Sequence, residues 1–246
     1  MIVAVLPALD EEENIAGVVR DVAPQVDRVV VVDNGSRDAT ADRARAAGAD
    51  VVHEPARGYG AACLAGIARA RDLGAEVVVF LDADGSDDPS EAPRLLAPIL
   101  GGAADLVLGV RTRETTEPGA MTSVQRFGNW FAPRIMRLAT GARYRDMPPF
   151  KAIRRDALDA LALRDRGHGF TIELLLRAHA LRLRVVEVPV RCRARRAGAS
   201  KVSGTIRGSA RAAVKIVTTI ARYARPRAPF SSAARAAERN RGERGA

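Results

Sequence analysis

Five short runs rich in β-branched residues recur through the first 110 positions: IVAVL (2–6), RVVVVD (28–33), DVVHE (50–54), EVVVFLD (76–82) and DLVLGV (105–110). They do not alternate apolar with polar, so neither face of such a strand can meet water. That is the pattern of a parallel sheet covered by helices on both sides. The segments between them fit the covering. Ile15, Val18, Val19 and Val22 share one helical face in a segment from Glu11 to about Ala23. Further helices are predicted to about Ala47, Leu73 and Leu100, with short connections throughout. Alternating strands and helices predict an α/β domain with a mostly parallel sheet. Ligands of such sheets sit at the carboxyl ends of the strands, where Pro7, Asp33 and Asp82 fall.

Composition supports one large domain. The 246 residues are 47% hydrophobic, enough for a substantial core, and the two cysteines, Cys63 and Cys192, have no CxxC spacing. A disulfide scaffold is not expected, and a reducing compartment fits better. The amino terminus turns acidic within a few residues and lacks the basic start of a signal peptide, and no apolar run is long enough to span a bilayer. The net charge of +10 is concentrated at one end. Residues 191–246 carry 15 Lys/Arg against 2 Asp/Glu, while the preceding 190 carry 24 against 27. This favours a local anionic partner such as a membrane surface, phosphates or nucleic acid.

The second half is less regular. A polar loop covers 111–121, a helix 124–140, a proline-rich turn 146–150, a short strand 151–153 and a helix 171–181. RVVEVPVRCR (184–193) reads as a strand interrupted by Pro189, which suits a sheet edge. The helix beginning near Ile206 has an apolar face and a stripe of Arg207, Arg211, Lys215 and Arg222. It suits either an anionic lipid surface or packing on the domain. The last 21 residues, 226–246, read as a disordered tail.

Chemistry concentrates in VVVFLDADGSDDP (77–89). Asp82 ends a buried strand and Asp84 follows two residues later, so two hard oxygen ligands reach one sheet edge and suit Mg²⁺ or Mn²⁺. Spacing alone leaves open a solvated turn whose Asp87 and Asp88 start the next helix. An EF-hand is excluded, because Asp87 and Pro93 occupy the positions of its glycine and glutamate. Asp82-Ala-Asp84-Gly85-Ser86 also resembles the nucleophile motif of haloacid-dehalogenase-like phosphatases, but it follows the fourth strand where that family places it after the first. RGYGAA (57–62) suits either a phosphate-binding loop or a plain strand-to-helix turn. His53, His168 and His179 are scattered, with His179 expected to be packed. ARRAGASKVSGT (194–205) is a basic loop that suits closure over phosphates or simple solvation.

Taken in order, PALDEEENI (7–15), VVDNGSRDAT (31–40), RGYGAA, FLDADGSDDP (80–89), QRFGN (125–129), DMPPFKAIRRDAL (146–158), GFTIELLLRAHALRLRVVEVPV (169–190) and RRAGASKVSGT (195–205) resemble the family 2 glycosyltransferases. The nearest branch is that of the dolichyl-phosphate or polyprenyl-phosphate mannose and glucose synthases. The resemblance spans roughly residues 1–225 and implies a GT-A fold. On that likeness 1–110 is the nucleotide-binding half, 111–204 the acceptor-side half and 205–225 a basic amphipathic helix.

The resemblance also implies roles. Pro7, Glu11 and Asp33 match positions that hold base and ribose. Asp82 and Asp84 match the DxD motif that binds the donor diphosphate through Mg²⁺ or Mn²⁺. Arg57 and Gly58 match a loop near the donor, and Arg126, Arg195, Ser200 and Lys201 match basic positions that hold phosphates. Asp146 and Glu173 match acidic positions on the acceptor side and are the candidates for a general base. Asp10, Ser86 and the MPPF turn depart from the family pattern, Ser86 standing where a glutamine usually adds a metal ligand. The expected enzyme is an inverting glycosyltransferase with a nucleotide-diphosphate-sugar donor and a polyprenyl-phosphate acceptor, cytoplasmic and peripheral on the inner face of the cell membrane. A soluble or other lipid hydroxyl acceptor is the alternative. Nucleic acid is not expected, since the basic tail lacks interleaved aromatics for base stacking.

Overall fold

The computed structural model describes residues 1–195 and 206–224. Ser200, Lys201, most of the basic loop and the 226–246 tail lie outside them. In chain order the elements are β1 (Ile2–Ala8), α1 (Ile15–Val22), β2 (Arg28–Asp33), α2 (Thr40–Ala46), β3 (Asp50–His53), α3 (Tyr59–Asp72), β4 (Val77–Phe80), α4 (Ala92–Leu100), β5 (Leu106–Val110), α5 (Ser123–Thr140), β6 (Lys151–Arg154), α6 (Arg155–Leu161), α7 (Phe170–Ala180), β7 (Val185–Pro189) and α8 (Ile206–Ala224).

The described strands form one seven-stranded sheet in the order β3-β2-β1-β4-β6-β5-β7. The pairs β1–β2, β2–β3, β1–β4 and β5–β7 are parallel, and β6 runs antiparallel between β4 and β5. The alternating half of the sequence therefore supplies β1 to β5, but β4 and β5 are not neighbours. The later strand β6 separates them and brings its first residue, Lys151, to the sheet edge where the parallel strands end. The run with Pro189 is an edge strand, as expected. A helix over 155–161, which the sequence reading left out, follows β6 directly.

Successive strand residues feed two cores. Val3, Val5, Val30, Val32, Val78 and Phe80 face one cluster with residues of α3, α6 and α7. Ala4, Leu6, Val29, Val31, Val77 and Val79 face the other, with Ile15, Val18 and Val19 of α1 and Leu95 and Ile99 of α4. Burial on both faces is why these strands carry no polar alternation.

Pro7 lies inside β1, beyond the point where the sequence predicted the strand to end, and pairs with Val32 of β2. The Val5 carbonyl accepts from the Leu81 amide on the β4 side. Residues two apart point the same way, so Pro7 turns its missing N–H toward the place where β4 has already finished. A central strand tolerates a proline only at such a position.

Gly66 lets α3 close on the sheet. A Cβ there would lie 2.3 Å from Val5 Cγ1 and 3.1 Å from Val32 Cγ2. Valine has little rotamer freedom to yield. Gly66→Ala is therefore expected to lower the unfolding free energy by about 1–3 kcal/mol despite alanine's better helix propensity, measured by urea titration.

Candidate active site

Four strand ends and one strand start meet at one edge. β1 delivers Pro7 and leads to Glu11. β2 delivers Asp33. β4 leads into Asp82 and Asp84, β5 into Arg111, and β6 begins at Lys151.

The nucleotide side is a set of interlocked turns. Asp33 is buried; its Oδ1 accepts from the Ser36 amide (3.0 Å), and its Oδ2 lies 3.2 Å from His53 Nδ1 on the adjacent strand. Asp10 takes a left-handed backbone (φ 49), a conformation that Asp and Asn tolerate better than most residues, and its carboxylate accepts from the Arg37 amide (2.8 Å). The aspartate that departs from the family pattern thus still closes the turn. The Glu11 amide donates to Thr40 Oγ1 (2.7 Å) and its carboxylate accepts from Asn14 Nδ2 (2.8 Å).

The Gly58 loop is arranged differently from a phosphate cradle. A Cβ on Gly58 would lie 2.1 Å from the Arg166 carbonyl oxygen, and one on Gly60 2.0 Å from that of Asp165. The Gly60 amide donates to the Gly167 carbonyl (3.1 Å), the Ala61 amide to that of Arg166 (2.9 Å), and the Gly58 amide to Asn34 Oδ1 (2.8 Å). The glycines make room for a crossing chain segment, and these amides are already satisfied. Of the two readings, the strand-to-helix turn holds. Arg57 is exposed, with Nη2 donating to the Gly35 carbonyl (2.9 Å).

The four aspartates after β4 divide by role. Asp88 accepts from the Ser90 amide (3.2 Å) and caps the turn at 89–91. Asp87 takes no part in that cap. It is buried and folds back, its Oδ2 accepting from the Asp82 amide (3.0 Å). Asp84 Oδ1 accepts from the Ser86 amide (2.9 Å), and the Ser86 carbonyl accepts from the Arg193 amide (2.8 Å). Ser86 thus serves the turn through its backbone. Asp82 and Asp84 remain half-buried at the tip of the strand.

Burial, with the charges of Asp87 and Asp84 added, pushes the Asp82 carboxyl well above the usual range. Burial likewise raises Asp87 to about 6. Lys151, 0% exposed, stands behind them; its ammonium donates to the Pro148 carbonyl (3.0 Å), and burial lowers its pKa against the pull of Cys63, Asp82 and Asp87. Among the described residues no group of three or more His, Cys, Asp or Glu forms a metal cage. Two carboxylates at a strand tip instead fit a hard cation that completes its shell with substrate phosphate and water.

Arg195 faces this pair. Its guanidinium is bonded to the Glu11 carboxylate and lies 3.9 Å from Asp84 Oδ2. The chain beyond β7 puts it there: the Arg193 amide bonds to Ser86, and Cys192 bridges both Asp87 and Thr116. Glu11, Asp84 and Arg195 are therefore neighbours, although up to 184 positions separate them in sequence.

The two acidic residues matched to the acceptor side are engaged elsewhere. Asp146 is buried and gripped by Arg111: its Oδ2 accepts from Arg111 N (3.1 Å) and Nε (2.8 Å), and its Oδ1 from Arg111 Nη2 (2.9 Å) and the Met147 amide (2.7 Å). Glu173 is 0% exposed: its Oε2 accepts from the amides of Arg164 (2.9 Å) and Asp165 (2.7 Å), and its Oε1 from Arg177 Nε (2.8 Å). This loop, 164–169, is the one that crosses Gly58 and Gly60. The arrangement of both residues is that of chain clamps, not of bases facing an acceptor. Arg126 stands apart on the exposed surface of α5, donating to Ser123 Oγ (3.3 Å). His168 is exposed, and His179, expected to be packed, is also exposed, its Nε2 3.0 Å from the Thr140 carbonyl oxygen.

Arg111 and Lys151 were not singled out by sequence reasoning. Their signal was faint: a basic residue directly after β5 and another at the start of a short apolar strand.

The acidic strand tip, the nucleotide-side turns and the mixed sheet define the GT-A fold of nucleotide-sugar-dependent transferases. The sequence profile described as glycosyl transferase family 2 matches residues 3–162. The chain belongs to that family. It is 40% identical over 208 residues to an uncharacterized glycosyltransferase of Mycobacterium tuberculosis, covering 85% of this chain and 92% of the relative. It is 33% identical over 222 residues to the undecaprenyl-phosphate mannosyltransferase of Micrococcus luteus, covering 85% and 90%. The crystal structure of glucosyl-3-phosphoglycerate synthase from Mycobacterium tuberculosis with Mn²⁺, UDP-glucose and phosphoglyceric acid superposes with a TM-score of 0.72 at 27% identity, covering 91% of this chain and 79% of that one. The phosphatase alternative falls with this assignment.

Asp87 gives a pH prediction. Its pKa is raised on folding from the ordinary 3.8 to about 6. The native chain then holds a proton that the unfolded chain has released, so stability falls as pH rises between about 4 and 6. Asp87→Asn can still accept from the Asp82 amide, and it is expected to flatten that slope in urea unfolding followed across this range. Glu173→Gln is expected to cost about 1–3 kcal/mol, read in the same assay, by turning one of two acceptor oxygens into a donor that faces the amides of Arg164 and Asp165 or the Arg177 guanidinium.

Proposed function

We propose that this glycosyltransferase moves a hexose from a nucleotide-diphosphate sugar to a polyprenyl phosphate, with inversion at the anomeric carbon. One observation carries the choice of acceptor: both carboxylates considered for proton removal, Asp146 and Glu173, are committed to arginines and backbone amides. A hydroxyl acceptor needs a base to take its proton. A phosphate is already anionic and attacks without one. The name of the Micrococcus luteus relative agrees with this acceptor.

Each group has a part in the reaction. Glu11, Pro7 and Asp33 line the nucleoside side, with Asp33 held in place by Ser36 and His53. Asp82 and Asp84 would hold Mg²⁺ or Mn²⁺, the latter being the ion in the related synthase structure. A divalent ion there supplies charge neutralisation for the departing diphosphate. Arg195 supplies a second positive charge at the same place, and exchanging its contacts to Glu11 and Asp84 for phosphate oxygens would put that charge on the donor. Ser200 and Lys201, in the segment that continues from Arg195, are proposed to add phosphate contacts. Arg57 and Gly58 are proposed to shape the donor side, and Arg126, from the exposed surface of α5, to meet acceptor phosphate. Asp87 and Lys151 set the charge and shape of the turn beneath.

A polyprenyl acceptor places the reaction at a membrane, and we place it at the inner face of the cell membrane. Among the described residues no helix is long and apolar enough to cross a bilayer. We propose attachment from the surface.

Asp84→Ala is expected to lower transfer at least about 100-fold and to remove the Mn²⁺ dependence of nucleotide-sugar binding measured by calorimetry, while the circular dichroism spectrum stays unchanged. Undiminished binding by that variant, and by the native protein in EDTA, would defeat the metal assignment. Transfer to phosphoglyceric acid with none to a polyprenyl phosphate would defeat the acceptor assignment.

A further inference from the structure

The longest described helices carry an apolar stripe that no described residue covers. On α5, Phe127, Trp130, Phe131, Arg134 and Leu138 recur at spacings of three and four and so share one side. Phe127 is 43% exposed, Trp130 53% and Leu138 83%. Their rings already contact one another: Phe127 and Phe131 stack at 5.4 Å, and the Arg134 guanidinium lies 4.3 Å over the Trp130 ring. The opposite side of α5, with Ala132 and Met136, is buried. α8 packs beside it, the nearest atom to a Cβ built on Gly128 being Ile216 Cδ1 at 3.9 Å. α8 in turn buries Thr219 and Ile220 while leaving Val214 at 64% and Val217 at 42% exposure.

By sequence the two helices carry charge of one sign: neither contains an Asp or Glu, and their basic residues include Arg126, Arg134 and Arg137 of α5 and Arg222 of α8. Arg126, Arg134, Arg137 and Arg222 are exposed. An apolar face of this kind is unusual on a protein surface and marks a binding surface. Aromatic rings flanked by arginines match the boundary of an anionic bilayer, where the rings enter the headgroup region and the guanidinium groups meet phosphates. A second copy of the chain is a poorer fit, because two such faces would bring like charges together.

We infer that the exposed face of α5, extended by Val214 and Val217 of α8, is the surface by which the enzyme rests on an anionic lipid bilayer, with Phe127, Trp130 and Leu138 entering the headgroup layer. The position suits the reaction. α5 begins after the 111–122 loop that starts at Arg111, and in sequence α8 follows the segment that starts at Arg195. Both therefore adjoin chain that borders the acidic strand tip. This deepens the proposed membrane acceptor by naming the contact surface.

The chain contains a single tryptophan, Trp130, so its emission reports this face directly. The full chain is mixed with vesicles of phosphatidylcholine alone or with phosphatidylglycerol added, and fluorescence and flotation are followed together. The expected result is a shift of Trp130 emission to shorter wavelength with the anionic vesicles, quenching by brominated acyl chains, and loss of both in high salt. Phe127→Ser and Leu138→Ser, both at exposed positions that leave the core intact, should each weaken vesicle partitioning about tenfold or more. Four results would overturn the assignment: no flotation, flotation with unchanged Trp130 emission, an equal response to both vesicle types, or a shift that follows protein concentration without lipid and so reports a second copy. The assay uses neither donor nor acceptor, so it can fail while transfer to polyprenyl phosphate in detergent stands.

Discussion

Asp87 accepting from the Asp82 amide is the contact on which the site depends. A strand tip carrying several carboxylates would splay if each sought water separately. The backward fold of Asp87 closes the turn and presents Asp82 and Asp84 outward. The cost is electrostatic, because burial and mutual repulsion raise the carboxyl pKa values. Arg111 and Lys151 offset it from behind and Arg195 from in front. An ion with two charges and a preference for oxygen suits such an arrangement, and a diphosphate would bring it further oxygens. On the proposed role of Asp82 and Asp84, donor binding would relieve the site's repulsion.

A similar commitment of charge governs the acceptor side. Asp146 and Glu173 carry the acidic character that suggested proton chemistry, yet each is used to hold chain. Asp146 ties the end of β5 to the turn before β6, and Glu173 ties α7 to the loop that lies over Gly58 and Gly60. A transferase acting on a phosphate tolerates this, because its nucleophile arrives already charged. Regions 1–110 and 111–204 accordingly share one sheet, with β6 inserted between β4 and β5. The edge that carries the carboxylates is assembled from both.

Much of the fold was legible because its signals are local. Valine runs without polar alternation marked β1 to β5, Pro189 marked an edge, and Asp82 and Asp84 stood at the tip of a buried strand. Three features stayed open or unnoticed for a common reason. Gly58 and Gly60 suited either a phosphate loop or a plain turn, and the segment that decides between them lies more than a hundred positions away. Asp146 and Glu173 looked available until their arginines and amides were in view. Lys151 looked like one basic residue among many until burial placed it beneath the aspartates.

The amino-acid sequence by itself determined the class of architecture, the sheet edge where ligands collect, the acidic pair, and a family likeness that ran in order through most of the chain. Each of these depends on residue type and on spacing within a few positions. Only the tertiary structure decided which carboxylates face the site and which are clamps, that Arg195 meets Glu11 and Asp84, and that no described residue covers the aromatic stripe of α5. Those outcomes depend on burial and on partners brought together by a sheet whose strand order departs from chain order. Ionisation and hydrogen-bond capacity follow from that environment, which no local stretch of sequence contains.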